Sequence, residues 1–279
     1  MNALEQLALA AQALGHTLRA ARRGRLWLPW LALGVAQAAG LLALVSFAHP
    51  LLAWALAPLV RALAGEPALH YPDFYRTLPF LYSRVDLVTG SILGAIATGW
   101  STRLFAALWR RQAGGVGEAW RDAAPHALTL VLGQLPFQLL VLLVTTVIEH
   151  LVAGQAGLVR RVGYLVALGG VALLQALFLY FPALVVLGGR GLWPALAGLP
   201  RTWARGLWAA LLLAVGALLP LLPLDALGQR SDLLVDRGAP ELVAVLTATQ
   251  LAVGLVVSFV LAGASTLVYL GAVAEEEEP

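Results

Sequence analysis

Six apolar stretches, at about residues 26–48, 85–108, 126–150, 162–188, 207–224 and 241–273, constrain this chain more than any motif in it. A bilayer's hydrocarbon core is about 30 Å thick and takes roughly 20 apolar residues of helix to cross. Within it each backbone amide must be bonded inside its own segment or in a closed barrel, and runs this long are helical. Sixty per cent of the residues are hydrophobic and 12% are charged, whereas soluble domains carry about 25% charged residues. The expected fold is all-α: a polytopic membrane protein of about six transmembrane helices with amphipathic interfacial helices, forming one membrane domain over 1–279.

All 18 basic residues are arginine, and with 15 acidic residues the net charge is only +3. They stand at the ends of the apolar runs, not in a basic stripe with interleaved aromatics, which argues against nucleic acid as a partner. Membrane lipids fit better, since guanidinium binds phosphate bidentately; another membrane protein is the second partner considered. With no cysteine, disulfides, thiol catalysis and cysteine metal sites are excluded.

Arg19, Arg22, Arg23 and Arg25 precede the first run and predict a cytoplasmic N-terminus. The charged region ahead of that run is too long for a signal peptide, so the first helix is read as uncleaved. Six spans place both termini inside, with 11 of the 18 arginines on the inner segments. Three segments read as surface helices. Residues 3–22 place Leu4, Leu7, Ala11, Leu14 and Leu18 on one helical face, residues 114–125 place Val116, Trp120 and Ala123 opposite Glu118, Arg121 and Asp122, and residues 191–205 align Leu192, Leu196, Leu199 and Trp203. On the outer side, 51–63 is amphipathic, and 70–82 (HYPDFYRTLPFLY) reads as a partly buried interfacial loop.

Helices two and six match at an offset of 164 residues: Gly90 with Gly254, Gly94 with Ser258, Gly99 with Gly263, Thr102 with Thr266. Ala172 and Ala176 stand at half that offset, and Trp120 with Trp203 and Gly133 with Gly216 are each 83 apart. A unit of surface helix plus transmembrane hairpin would then recur over 1–108, 114–188 and 191–273. Gly90, Gly94, Ala172, Ala176, Gly254 and Ser258 form small-residue ridges that let helices approach closely.

The stretch YFPALVVLGGRG followed by PALAGLPRTWARG, within 180–206, resembles an element of bacterial six-helix integral membrane proteins similar to the membrane domain fused to some glycerophosphodiester phosphodiesterases. The resemblance implies a multi-pass protein of the bacterial cytoplasmic (inner) membrane. It implies no catalytic residues, since the fusions' activity belongs to a separate soluble domain, and no His-Arg-Gly of the kind that domain uses occurs here.

Ionisable residues inside spans usually mark function; Asp86, Glu149, Asp225 and Glu241 all fall at expected outer ends. Mid-span polarity is limited to Gln134, Gln138, Gln175 and Gln250 with scattered Ser and Thr, which fit interhelical hydrogen bonds or a substrate path. His49, His70, Asp73, Asp86, Glu149, His150, Asp225 and Asp232 are metal-binding types on the outer side, but no HExxH or G-x-S-x-G spacing occurs. Glu275–Glu278 reads as a solvated acidic tail. The leading expectation is a non-enzymatic membrane protein, with no cofactor, catalytic residue or metal site assigned. It would organise or support lipids or a partner protein through Arg23, Arg121, Arg201, Trp203 and Arg205. The alternatives are a transporter or channel subunit for an apolar or amphipathic solute, and an outward-facing metal-dependent enzyme.

Overall fold

A computed structural model of the chain describes residues 2–47, 49–112, 114–152, 155, 157–228 and 230–272. The acidic tail Glu275–Glu278 and the side chains of Glu149 and Arg160 lie outside what is described. In order, the helices are α1 (Ala3–Ala20), α2 (Leu28–Val45), α3 (Pro50–Ala64), α4 (Asp73–Thr89), α5 (Ala95–Trp109), α6 (Val116–Ala123) and α7 (Ala127–Val152). There follow α8 (Leu158–Phe178), α9 (Phe181–Val186), α10 (Leu192–Leu218), α11 (Leu222–Gly228), α12 (Ser231–Asp236) and α13 (Glu241–Ala272). The described residues contain no strand. Five helical stretches are long and apolar enough to cross a membrane: Gly24–Val45, Asp73–Trp109, Val116–Val152, Arg161–Val186 and Glu241–Gly271. A sixth span exists if α10 and α11, bent by 43° at their junction, count as one. The chain is therefore an all-α, polytopic membrane protein.

Three boundaries depart from the sequence expectation. Residues 73–82, expected as loop, are the start of α4; Phe74, Leu78, Leu81 and Tyr82 are buried at helical spacing, and that packing outweighs Pro79 inside the helix. Helix four is two pieces, because Pro182 suits the first turn of a new helix and α8 ends ahead of it. The surface helix expected at 191–205 is not separate: α10 runs from Leu192 to Leu218 through Pro200. Ala195, Leu199, Thr202, Gly206, Ala209 and Leu213 make one buried stripe that continues past the proline. The ordinary interior cost of proline is about 3 kcal/mol, and here tertiary packing outweighs it.

The chain forms two compact units, one comprising Met1–Pro29, Gly94–Leu218 and Ser258–Pro279, the other Trp30–Leu93 and Leu219–Val257. The boundaries after Leu93 and after Val257 are 164 residues apart, the offset at which those two helices match in sequence. In the first unit, α9 is the centre of the core: Phe181, Leu184, Val185 and Val186 are buried among Ala176, Ala195, Leu199, Ala209, Leu213, Ala264, Val268 and Tyr269. Tyr180 donates its hydroxyl to the Gly206 carbonyl at 2.9 Å, and Trp203 donates its indole N–H to Leu177 O at 2.8 Å. In the second unit, Leu41, Leu44, Val60, Phe74, Leu78 and Leu81 form the core, with the Phe47 and Phe74 rings stacked at 5.0 Å.

The residues that α1 buries most deeply are small or polar, with Leu9 and Leu14 packed half-buried beside them. Gln6, Ala10, Ala13, Thr17 and Ala20 are buried, whereas Leu4 and Leu18 are 77% and 58% exposed. Small residues permit the close helix approach that this contact requires. Ala13→Leu is accordingly expected to destabilise the protein by about 1–3 kcal/mol through overpacking, while Leu18→Gln leaves the fold intact. Thermal unfolding of both variants in detergent checks this, and equal effects would contradict it.

Candidate functional site

The ends of three helices in the first unit meet around one surface cleft of ≈ 560 Å³, lined by His16, Arg23, Arg25, Leu108, Trp109, Arg111, Gln112 and Leu267. His16 comes from the last turns of α1, and the chain then folds tightly. Arg23 N–H bonds Ala20 O at 2.9 Å, Leu26 N–H bonds Arg23 O at 3.0 Å, and the Trp27 indole donates to Ala21 O at 2.8 Å. That turn presents Arg23 and Arg25 as two exposed guanidinium groups beside the cleft.

The opposite wall is the C-terminus of α5. Gln112 N–H bonds Ala107 O at 2.9 Å and Arg111 N–H bonds Leu108 O at 3.2 Å. These two bonds are the Schellman pattern, whose left-handed position is usually glycine. Here it is Arg111, at φ 53°, the one non-glycine residue with positive φ among the described residues. An L-residue in that conformation costs roughly 1–2 kcal/mol. Strain of this kind retained at a cleft is a sign of use there.

A run of aromatic rings backs the cleft. His16 meets Trp109 edge-on at 6.3 Å, Trp109 lies over Phe105 at 5.9 Å, Phe105 meets Phe259 at 5.3 Å, and Phe259 stacks on Trp27 at 4.0 Å. The Trp109 indole N–H points at Gly263 O, 3.4 Å away. The three arginines form no ion pair with any described carboxylate. Among the described residues no acidic side chain lines the cleft. Unneutralised guanidinium groups with an imidazole and an amide beside them suit a phosphate-sized anion, which each arginine can engage through two parallel N–H donors.

Of the arginines singled out in sequence, only Arg23 belongs to this cleft; Arg121, Arg201 and Arg205 are exposed on α6 and α10. Trp203 is half-buried and bonded to backbone, as described. Arg25, Arg111 and His16 were not among the sequence candidates. Their only signal was position: Arg25 at the start of one span, Arg111 at the end of another.

Among the expected packing residues, Ala172 and Ala176 are buried, and Gly94 and Ser258 are half-buried. Gly90 and Gly254 have open space where a Cβ would stand. The closest approaches are elsewhere: a Cβ on Gly133 would lie 2.0 Å from the Phe181 ring, one on Gly99 2.3 Å from Leu130, and one on Gly263 2.4 Å from Thr17.

Gln134, Gln138 and Gln175 are half-buried on α7 and α8. Gln250 donates to Asp225 Oδ1 at 3.2 Å. A second pair of this kind was missed in sequence: buried Gln37 of α2 donates its amide to Asp86 Oδ1 of α4. The placement of Asp86 at a helix end is therefore corrected, because α4 starts at Asp73 and puts the carboxylate three turns inside a helix of 37 residues. One turn before it, the Tyr82 hydroxyl is buried with no hydrogen-bond partner. Gln37→Leu leaves Asp86 without this donor and is expected to cost about 1–2 kcal/mol. A lowered melting midpoint in Gln37→Leu, with Gln37→Glu plus Asp86→Asn restoring most of it, checks the pairing.

Among the described residues no three His, Asp or Glu side chains converge as a metal site. Asp73 pairs with Arg76 at 3.1 Å, and Arg76 also pairs with Asp236 at 2.6 Å. The chain matches no protein-family model, no curated protein and no solved structure.

Proposed function

We propose that this is a non-enzymatic integral membrane protein of the bacterial cytoplasmic membrane that holds anionic phospholipid headgroups in the Arg23–Arg25–Arg111 cleft. On this reading both termini are cytoplasmic, the cleft faces the inner leaflet, and α1 lies along the interface with Leu4 and Leu18 among the acyl chains. The observation that carries it is the convergence of three arginines with no carboxylate among the described lining residues, one of them held in a strained backbone conformation. The excess of arginine on the segments read as inner, and the resemblance of 180–206 to bacterial six-helix membrane proteins, agree with it.

The test is composition of the lipid that stays with the protein. After purification in mild detergent, the wild type is expected to retain anionic phospholipid above its share in the membrane. The Arg23→Gln, Arg25→Gln, Arg111→Gln triple variant should retain only the bulk proportion. Unchanged enrichment in a folded triple variant would remove the proposal.

One observation favours a second reading, a transporter or channel subunit. The Gln37–Asp86 and Gln250–Asp225 pairs put two carboxylates on helices of the span set, and ionisable groups there are commonly functional. Solute flux into proteoliposomes, abolished by Asp86→Asn or Asp225→Asn and untouched by the arginine triple, would favour this reading over the first.

A further inference from the structure

Helix α3 carries an apolar face that none of the described residues covers. Leu51, Trp54, Ala55, Pro58, Leu59 and Leu63 are all exposed, Trp54 at 85%. At 100° per residue they fall on one side of the helix. Val60, on the other side, is buried in the core of its unit with Leu41, Leu44 and Phe74. The helix is thus docked on one face and bare on the opposite one. Its single charged residue, Arg61, sits at the edge of the bare face and hydrogen-bonds the Glu66 carboxylate. That bond holds the Glu66 carboxyl below the ordinary carboxylate range.

We propose that the bare face of α3 is a membrane-surface anchor, immersed in the acyl-chain boundary of the bilayer with its axis along the interface. Fifteen residues make a helix of about 22 Å, short of the roughly 30 Å hydrocarbon core, so α3 does not cross. Four residues separate it from the end of α2. In the same unit, Val35 and Leu42 of α2 and Val88 of α4 are exposed apolar residues on helices of the span set. The unit that carries the bare face thus also exposes apolar side chains on helices apolar enough to cross a membrane. An unbroken apolar face, an exposed tryptophan and an arginine at the rim are the features by which a helix lies in a headgroup layer.

The chain has no cysteine, so single nitroxide labels can be placed without background. Labels at Leu51→Cys, Trp54→Cys, Leu59→Cys, Arg61→Cys and Glu66→Cys would be read in lipid nanodiscs by collision with oxygen, which concentrates in acyl chains, and with a water-soluble nickel chelate. Positions 51, 54 and 59 are expected to show severalfold higher oxygen-to-nickel ratios than 61 and 66. Aqueous ratios at all five positions, or spin–spin broadening at 51, 54 and 59 that disappears on dilution with unlabelled protein, would overturn the proposal. The first outcome would mean a water-side surface and the second a contact with another copy. Neither outcome depends on the arginine cleft, so this proposal and the headgroup reading stand or fall separately.

Discussion

Replacing Gly133 by alanine is expected to be among the most damaging single changes in this chain, lowering stability by about 3 kcal/mol, the upper end of what overpacking costs. The added methyl would stand 2.0 and 2.1 Å from two atoms of the Phe181 ring. Phe181 cannot swing away, because it is buried at the centre of the first unit's core against α8 and α10. Interiors packed to crystal density transmit such a clash into backbone shifts. Gly263→Ala should behave similarly, its methyl meeting Thr17 at 2.4 Å and Phe105 at 2.7 Å. Gly254→Ala has the opposite sign. No atom lies within 4 Å of its would-be Cβ, and alanine gains about 1 kcal/mol of helix propensity over glycine. Unfolding midpoints in detergent check all three. A neutral Gly133→Ala would mean that α7 and α9 are not packed as described.

Arg111→Gly is expected to separate stability from binding. Glycine at φ 53° removes the left-handed penalty, so the variant should be more stable than the wild type by about 1 kcal/mol. It should also hold anionic lipid less well, since a cation near anionic headgroups contributes about 1 kcal/mol. A residue with a merely structural role would not give a gain in one measurement and a loss in the other. Loss of both would mean that the Arg111 side chain supports the fold. Gain without loss of binding would mean that it faces solvent and does nothing in the cleft.

The residues that sequence patterning placed well are those whose environment depends on their own segment alone. The long apolar runs became helices, and the short amphipathic segment around Trp120 became α6, because length and periodicity decide those outcomes locally. Inside a membrane the same reasoning fails at the next level. Leucines dominate the stripe that periodicity marks on α1, yet its most deeply buried residues are Ala10, Ala13 and Thr17, because small residues let a neighbouring helix approach closely. Four-residue spacing marked Gly90 and Gly254, while the close contacts fall on Gly99 and Gly263 of the same helices; spacing identifies a ridge but not the side on which a partner stands. The expected break between a surface helix and the span after it is absent, because a buried stripe runs through both.

The cleft was legible only in part, for a related reason. Arginines at span ends are expected of any multi-pass protein, and Arg23, Arg121, Arg201 and Arg205 were equivalent by that criterion. Convergence comes from tertiary structure: α1 ends beside α5, the turn after it is held by Trp27, and the α5 terminus closes with Arg111 in the glycine position. Gln37 and Asp86, 49 residues apart, were invisible as a pair for the same reason.

The most direct test of the headgroup account is competition between lipids for the purified protein, read by native mass spectrometry as the ratio of anionic to zwitterionic phospholipid bound. With about 1 kcal/mol per guanidinium, the three cleft arginines together are worth on the order of 100-fold in that ratio. The account predicts that replacing Arg23, Arg25 and Arg111 by glutamine abolishes the preference, whereas replacing the exposed Arg121, Arg201 and Arg205 changes it severalfold at most. Equal loss from the two triple variants would contradict it, since the preference would then belong to net charge and not to the cleft.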